Sequence, residues 1–386
     1  MTQTDQARPE PRALTEMEQR DGDCVTRAAL PPAVPVASTL EVDALIAANA
    51  PVAVGVSGGK DSQAAALAVF AHLDAAGHRG PRVLIHSDLG VVEWDESRPV
   101  CERLARHLGV ELIVVHRKSG DLMDRWESRW ESSKRRYAAL ETVTLVLPWS
   151  TPSMRFCTSE LKTHLIGAEL RRRFRGQTVL NVTGVRREES AARAKGTIAT
   201  RESDGRAISW RPISDWTQAD VFAYIAANGL PVHQAYTELG MSRVSCRFCI
   251  MAKHADLLAA AAAEESHDLY RRMVALESAS TFAFQGSRWL GDIAPELLSE
   301  PEQAAFGLAK GKAARRVALE KSLSREMMYV KGWPTRMLTD DEAALLASVR
   351  SQVSDLLGIK ASYLDVPSIH DRYAELMAAS EYRDAA

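Results

Sequence analysis

Short apolar runs alternate with longer helix-forming stretches along the first part of the chain. The runs at Ala53–Val56, Arg82–His86 and Glu111–His116 have the length of buried strands. Stretches rich in helix formers separate them, at Gln63–Leu73 and Pro99–Leu108. This strand–helix–strand–helix–strand order predicts a parallel sheet with right-handed crossovers.

Further along the chain the pattern first continues and then changes. Strands are predicted at Gln177–Thr183 and Ile208–Ile213, and Thr217 with Asp220 forms the capping box of a helix. From residue 255 onward there is no clear strand pattern, and Ala, Leu and Glu dominate. The pattern as a whole predicts an α/β fold: a doubly wound, mostly parallel sheet with a helical C-terminal appendage.

The same change of pattern divides the chain into three parts. Residues 1–39 are polar and then rich in Pro, Ala and Val, which predicts a flexible N-terminal arm. Residues 40–254 would form the sheet-containing domain, and residues 255–386 a helical C-terminal region. A length of 386 residues fits either two domains or one α/β domain with a large appendage.

The segment Ser57–Ser62 (SGGKDS), here called the glycine loop, joins the first strand to a helix. Its two adjacent glycines allow a sharp turn and leave backbone N–H groups unobstructed. The helix adds the positive end of its dipole, Lys60 adds a charge, and the Ser57 and Ser62 hydroxyls add donors. The segment therefore predicts a phosphate-binding loop, although it lacks the Walker spacing. The alternative is an ordinary glycine-rich turn.

Other polar residues follow predicted strands. Asp88 lies at the end of the second strand, and Gly184 and Arg186 come directly after the strand at Gln177–Thr183. Open α/β sheets bind ligands at the carboxyl ends of their strands. We therefore expect these residues to lie on the same edge of the sheet as the glycine loop.

Bulk composition excludes some classes of protein. Hydrophobic residues make up 46% and charged residues 25% of the chain, and the net charge is −2, so overall charge does not indicate nucleic-acid binding. No apolar run approaches the ~20 residues of a membrane span, and the N-terminus has no signal-peptide core. Five cysteines, an odd number, fit a reducing compartment. We therefore expect a cytoplasmic protein that does not associate with membranes.

A tandem repeat, RWES at 125–128 and again at 129–132, lies in the predicted helix Asp121–Leu140. The four-residue period puts Trp126 and Trp130 on one helix face. We interpret the pair as packing against the sheet. The alternative is an aromatic and basic surface for nucleic-acid bases.

Three cysteines, here called the cysteine trio, could act together: Cys157, Cys246 and Cys249. Cys246 and Cys249 form a C-x-x-C motif, which occurs in metal sites and in redox pairs. Cys157 precedes a predicted helix start and lies between Arg155 and Lys162, a setting that favours the thiolate.

The trio leaves several interpretations open. It could hold three irons of a 4Fe–4S cluster and leave the fourth iron open. A structural zinc would need a fourth ligand, for which His164 and His254 are candidates. The remaining alternative is three unrelated buried thiols. Cys101 lies among apolar neighbours in a helix and is predicted to be a core residue.

Several segments, in order, resemble the phosphoadenylyl-sulfate (PAPS) reductase-like family of the PP-loop ATP pyrophosphatase superfamily. Within it, these features look most like the Dnd-type sulfurtransferases of DNA phosphorothioation. The resemblance covers about residues 40–255 and implies an adenine nucleotide α-hydrolase-like fold. The segments are SGGKDS (57–62), SDLG (87–90), RFCTSELK (155–162), VTGVRREESAAR (182–193), RPISDWTQADVFAYI (211–225) and GLPVHQAYTELGMSRVSCRFC (229–249).

The chain departs from the sulfonucleotide reductases of that family in three respects. Those enzymes carry a nucleophilic cysteine in a C-terminal tail, but no cysteine follows Cys249 here. They tend to lose the intact SGGKDS loop, which is present here. Their iron–sulfur type uses an adjacent cysteine pair, whereas Cys157 stands alone. These differences favour cleavage of ATP over reduction of a sulfonucleotide.

The resemblance implies that ATP is cleaved to AMP and pyrophosphate, that an acceptor is adenylated, and that sulfur then displaces AMP. Lys60, Asp61, Cys157 and Arg186 would be the catalytic residues, with Mg2+ held through Asp61 or Asp88. The cysteine trio, as thiols or as ligands of a 4Fe–4S cluster, would supply or relay sulfur from a cysteine desulfurase-like donor. Oligomers are possible within this family. The ATP-binding residues would be Ser57, Gly58, Gly59, Lys60, Asp61, Ser62, Asp88, Gly184 and Arg186.

The acceptor is expected to be a nucleic acid, because residues 155–211 contain 13 Lys and Arg but only 6 Asp and Glu. The densest part is RRRFR at 171–175. The alternative is a solvated helix face combined with ATP-binding arginines. Two other functions remain open: a sulfonucleotide reductase with a thiol donor in trans, and an ATP-switched component of a multi-protein complex.

Overall fold

A six-stranded sheet forms the centre of the structure, a computed structural model that describes residues 34–384. The strands are β1 Val52–Val56, β2 Arg82–Asp88, β3 Glu111–His116, β4 Val179–Val182, β5 Ala199–Arg201 and β6 Ala207–Trp210. Their order across the sheet is β3-β2-β1-β4-β6-β5. All neighbours pair in parallel except β5, which runs antiparallel to β6.

Fourteen α-helices lie in the described range, together with shorter 3-10 and π segments. No helix there is long and apolar enough to cross a membrane. The helices are α1 Leu40–Ala47, α2 Lys60–Ala75, α3 Ser97–Leu108, α4 Leu122–Ala138, α5 Phe156–Thr158, α6 His164–Arg173, α7 Ala191–Ala194, α8 Gln218–Ala227, α9 Gln234–Thr237, α10 His254–Ala262, α11 His267–Ser280, α12 Glu300–Glu320, α13 Asp340–Leu357 and α14 Val366–Asp384.

Helices cover both faces of the sheet. On one face α1, α2, α3 and α8 pack against strand residues that include Val54, Leu84 and Leu180. On the other face Leu170 of α6 and Phe174, which directly follows this helix, pack against the strand residues that point the opposite way. The predicted doubly wound, mostly parallel sheet is therefore confirmed, and Cys101 is a core residue of the first face, as predicted.

The predicted N-terminal arm lies mostly outside the described residues, and so does Cys24. Its last residues, from 34 onward, are described and contact the sheet domain. The Trp210 Nε1–H donates to the Ala37 carbonyl at 2.8 Å, and the Trp216 Nε1–H donates to the Pro35 carbonyl at 3.3 Å. This short stretch is thus fixed against β6 and the segment that follows it.

The helices that follow residue 254 share an apolar core with α4. Trp126 lies 5.3 Å from Trp149 and 6.1 Å from Phe284 between ring centroids, and Trp130 lies 6.4 Å from Phe282. Both tryptophans of the tandem repeat are buried. The predicted packing against the sheet is wrong, however, because the aromatic residues beside the C-terminal helices cover this face of α4. Within the described range this core contains no strand residue.

Buried Arg350 ties α13 to the end of α4. Its guanidinium donates to the carbonyls of Tyr137 at 2.9 Å and Ser362 at 2.7 Å, and it lies 4.8 Å from the Tyr137 ring centroid. A buried cation is costly unless such partners replace water. These bonds therefore fix the position of α13 relative to the end of α4.

We expect Trp126→Ala to lower the free energy of unfolding by about 3–5 kcal/mol, because it removes a large side chain from this shared core. Urea denaturation measures the change. The control is Leu308→Ala, because Leu308 is 69% exposed and its truncation should change stability by less than about 0.5 kcal/mol. Equal effects of the two substitutions would contradict the packing described.

Candidate active site

The glycine loop connects β1 to α2 in a conformation that requires glycine at position 58. The φ angle of Gly58 is +75°, and a Cβ there would lie 2.9 Å from backbone atoms of Ser97. The Ser62 hydroxyl accepts from the Ser57 N–H at 3.2 Å and donates to the Gly59 carbonyl at 2.9 Å. The Ser62 hydroxyl thus stabilises the loop by bonding two of its backbone groups.

Asp61 joins two buried cations at the start of α2. Its Oδ2 lies 3.0 Å from Lys60 Nζ, and its Oδ1 lies 2.6 Å from Arg186 Nε. The side chains of Lys60 and Arg186 are only 3% and 4% exposed. Burial alone would lower the pKa of Arg186, but Asp61 and Glu188 raise it. Lys60 and Arg186 therefore both contact the Asp61 carboxylate, so three of the four predicted catalytic residues lie together.

Gly184 allows this arrangement by bringing the turn after β4 against the start of α2. A Cβ at Gly184 would lie 2.4 Å from the Asp61 carbonyl oxygen, which no side chain can tolerate. The same turn carries Arg186, whose guanidinium also bonds Glu188 at 2.5 Å and the Trp216 carbonyl at 3.3 Å. The close approach at Gly184 therefore positions Arg186.

Tyr236 is part of the site and was missed by the sequence analysis. Its hydroxyl accepts from the Lys60 N–H at 3.2 Å and from the Val244 N–H at 3.1 Å, and Lys60 Nζ lies 5.2 Å from its ring centroid. Tyr236 lies in a segment quoted for the family resemblance, but no local pattern relates it to a residue 176 positions away. A phosphate that uses the Lys60 N–H must share or displace this hydroxyl.

The end of β2 lies beside the glycine loop, since Val56 pairs with His86 in the sheet. Asp88 is the last residue of β2, and its Oδ1 accepts from the Gly90 N–H at 2.8 Å. The structure thus places Asp88 on the same edge as the loop, where one carboxylate oxygen stabilises a turn.

His86 connects the loop strand to the segment that follows β2. Its Nδ1 lies 3.0 Å from the Val56 carbonyl, and its Nε2 lies 3.1 Å from Glu93 Oε2. Because both ring nitrogens face acceptors, the doubly protonated ring is favoured. Burial alone would lower the pKa of His86, but Cys101 and Glu93 raise it to about 10.

The cysteine trio lies close to this edge of the sheet. Burial raises the pKa of the Cys246 thiol to about 12. Lys162 opposes this rise, while Cys249, Glu93 and Cys157 add to it. The Glu93 carboxylate, which also bonds His86, is thus among the groups that raise this pKa. Cys246 is therefore a thiol at neutral pH.

Long-range contacts fix the segments that carry the trio. The Ser87 hydroxyl, at the end of β2, donates to the Leu161 carbonyl, just after Cys157 in the chain. The Arg247 N–H, inside the C-x-x-C motif, donates to the Val92 carbonyl at 2.8 Å. The Gln285 side-chain amide, from the C-terminal region, donates to the Cys249 carbonyl at 2.9 Å. Contacts from the segment after β2 and from the C-terminal region therefore fix the position of the C-x-x-C motif.

Thiols are the ligands that iron–sulfur clusters use, but the three thiols of the trio are not arranged around a common metal position. Among residues 34–384, no group of three or more His, Cys, Asp or Glu is arranged to hold a metal ion. This applies equally to a zinc site with His164 or His254. Cluster binding by Cys157, Cys246 and Cys249 stays a prediction, and we derive no catalytic step through a cluster.

The fold and the loop define a class: an α/β protein with a glycine-rich loop at the carboxyl edge of a mostly parallel sheet, where such folds bind ligands. The family model described as "Phosphoadenosine phosphosulfate reductase domain" matches residues 51–252, which is more than half of the chain. The chain belongs to this family.

Similar proteins include the adenosine 5'-phosphosulfate reductase of Neisseria meningitidis serogroup B, which is 31% identical over 158 residues. The match covers 40% of this chain and 55% of that relative, so the chain spans about half of the relative's length. The PAPS reductase of Candida auris is 15% identical with a TM-score of 0.34, over 55% of this chain and 98% of that one.

A second solved structure, the U34-tRNA thiolase NcsA of Methanococcus maripaludis with its [4Fe-4S] cluster, is 13% identical. Its TM-score is 0.33, over 65% of this chain and 83% of that one. Both structural likenesses are distant, and neither bears on the residues of the site.

We expect the stability lost in His86→Gln to be greater at pH 6 than at pH 9. The folded state raises the pKa of His86 from 6.5 to about 10, so its contribution is fully present below pH 6.5 and is lost as pH rises through about 10. The free energy of unfolding that His86 contributes should fall by at most about 1.4 kcal/mol per pH unit.

Urea unfolding at several pH values measures this difference. His116→Gln, at an exposed position, controls for the loss of an imidazole in general. A stability difference for His86→Gln that does not vary with pH would show that the ring is not charged in the folded protein.

Proposed function

We propose that this protein is an ATP-dependent adenylating sulfurtransferase that cleaves ATP to AMP and pyrophosphate and acts in thiolation, with a nucleic acid as acceptor. The observation that carries the proposal is the position of Asp61 between two buried cations, Lys60 and Arg186, on an intact glycine loop. Positioned cations are the main means by which proteins stabilise the charge that develops in phosphoryl transfer.

In the first step an acceptor oxygen attacks the α-phosphorus of ATP. A new oxygen–phosphorus bond forms, the bond to the bridging oxygen breaks, and pyrophosphate leaves with the electron pair. Lys60 and the loop N–H groups hold the β and γ phosphates, and Arg186 neutralises charge at the α-phosphate. Asp61 keeps the two cations at a fixed separation throughout.

Mg2+, when bound, would neutralise charge on the phosphates. Both Asp61 oxygens are engaged by cations, whereas Asp88 commits its Oδ1 to a turn. Asp88 is therefore the better candidate for the Mg2+ ligand among the two aspartates considered.

In the second step a sulfur nucleophile displaces AMP from the adenylated acceptor. The acceptor–sulfur bond forms, the acceptor–oxygen bond breaks, and AMP leaves with the electron pair. Cys157 receives this sulfur as a persulfide from a cysteine desulfurase-like protein, and the outer sulfur of the persulfide attacks the acceptor. A small-molecule or protein thiol then reduces the resulting acceptor–S–S–Cys157 disulfide, which releases the thiolated acceptor and returns Cys157 as a thiol. The fixed position of the Cys157 segment next to the end of β2 supports this role.

The second candidate is reduction of a sulfonucleotide. It is favoured by the name of the Neisseria relative, an adenosine 5'-phosphosulfate reductase. Because no cysteine follows Cys249, this chain would need a thiol donor in trans. Reduction of adenylyl sulfate without release of pyrophosphate from ATP would establish this candidate and overturn our proposal.

We expect Asp61→Asn to lower the rate of pyrophosphate release from ATP by about 10²–10³-fold, because Lys60 and Arg186 lose the carboxylate that positions them. A coupled pyrophosphate assay measures the rate. Asp74→Asn, a half-exposed position on the same helix, is the matched control and should retain the wild-type rate. A rate for Asp61→Asn within threefold of the control would refute the assigned role.

We expect Cys157→Ser to abolish sulfur transfer and to leave pyrophosphate release unchanged, since a hydroxyl at this position cannot carry sulfur. Mass spectrometry of thiolated nucleotides measures the first activity, and the coupled assay the second. Cys24→Ser is the control, because Cys24 is not assigned to the trio. Sulfur transfer at the control rate would exclude Cys157 from the relay.

A further inference from the structure

The outer face of α4 borders a cavity of about 280 Å³ that is lined by four arginines. They are Arg117, Arg125, Arg129 and Arg136, and we call this cavity the arginine cleft. The other lining residues are three serines and one valine, so no carboxylate lines the cleft. Arg125 and Arg136 pair with carboxylates outside the lining, Glu160 at 2.7 Å and Glu141 at 3.8 Å, so part of this charge is offset.

Two of these arginines bond only to neutral groups. Arg129 donates to the Leu147 carbonyl at 2.9 Å, and Arg117 donates to the carbonyls of Ser119 at 2.6 Å and Gly120 at 3.3 Å. Within the described part of the chain, neither Arg117 nor Arg129 forms an ion pair. Their positive charge is therefore available to a ligand.

The basic segment 171–175, which the sequence favours as a phosphate-binding surface, differs in this respect. Arg171 lies 3.6 Å from Asp204, Arg172 lies 2.6 Å from Glu169, and Arg173 pairs with Glu111. Acidic partners offset much of the charge of this segment. In the arginine cleft, Arg117 and Arg129 have no such partner among residues 34–384, so the cleft keeps two guanidinium groups that can bind an anion.

Two of the cleft arginines pack against the residue that precedes Cys157. The guanidinium groups of Arg125 and Arg129 lie 4.8 Å and 4.9 Å from the ring centroid of Phe156, the residue before Cys157. Arg125 is also fixed by Glu160, whose Oε2 lies 2.7 Å from its Nε. The cleft therefore lies beside the segment that carries Cys157.

The spacing of the arginines favours an extended ligand over a single small anion. Arg125 and Arg136 are eleven residues apart in one helix, which corresponds to about 16 Å along its axis. A nucleic-acid strand would place more than one backbone phosphate along this length. One inorganic phosphate would reach only part of the cleft.

We propose that the arginine cleft binds the phosphodiester backbone of a nucleic acid and directs the acceptor towards Cys157. The binding site stands on its own geometry, whereas the direction of the acceptor rests on the sulfurtransferase function proposed above. DNA and RNA share this backbone chemistry, and the test includes both.

The test measures binding of labelled single strands of DNA and RNA, about ten nucleotides long, to the full-length protein by fluorescence anisotropy over roughly 50 to 200 mM salt. The variant Arg117→Gln/Arg129→Gln should bind at least tenfold more weakly. The slope of log affinity against log salt should fall by about 1.4, which corresponds to two lost phosphate contacts on a single strand.

Two further variants control for charge and for folding. Arg315→Gln/Arg325→Gln removes the same charge at exposed positions outside the cleft and should bind as the wild type does. Arg117→Lys/Arg129→Lys keeps the charge and should keep most of the salt slope. Thermal unfolding verifies that each variant is folded.

The outcomes separate this inference from the proposed function. If the glutamine variant binds both strands with wild-type affinity and slope, or if inorganic phosphate competes as strongly as the strand, the backbone site is overturned. If the variant loses binding while the wild type releases no pyrophosphate from ATP, the cleft stands and the adenylation chemistry fails. The stronger-binding strand identifies DNA or RNA as the ligand.

Discussion

The ion pairs of Asp61 are the interaction on which the site depends. Lys60 and Arg186 are both buried, and two neighbouring buried cations without a shared carboxylate would repel each other. Loss of one partner of a buried charge pair typically costs about 3–5 kcal/mol. Asp61 lies at the start of α2, and Arg186 follows β4, so these bonds also fix the relative positions of two neighbouring strand ends.

A second set of contacts connects the glycine loop to the cysteine trio. His86 bonds the end of β1 and Glu93, and the carbonyl of Val92, the residue before Glu93, accepts from the Arg247 N–H inside the C-x-x-C motif. The C-terminal helices contribute as well, because they share a core with α4, and Gln285 holds the Cys249 carbonyl. Activation at the loop and sulfur transfer at the trio would therefore occur on one continuous framework.

The sequence predicts the parts of this structure that are encoded locally. The strands β1, β2 and β3, the glycine loop and the Thr217 capping box follow from short patterns, and the loop residues indicate an anion. The three-residue strand β5 is too short to show a pattern. The packing of Trp126 on Phe284 and the Tyr236 hydroxyl on the loop depend on contacts across more than 150 residues, which no local period reveals.

The central claim is that this site cleaves ATP between the α and β phosphates. Phosphorus NMR of ATP incubated with the protein, Mg2+, a sulfur donor and a nucleic-acid strand tests it most directly, since each product has its own resonances. Our account predicts AMP and pyrophosphate in equal amounts. Formation of ADP and inorganic phosphate, or unchanged ATP while adenylyl sulfate is reduced, would contradict it.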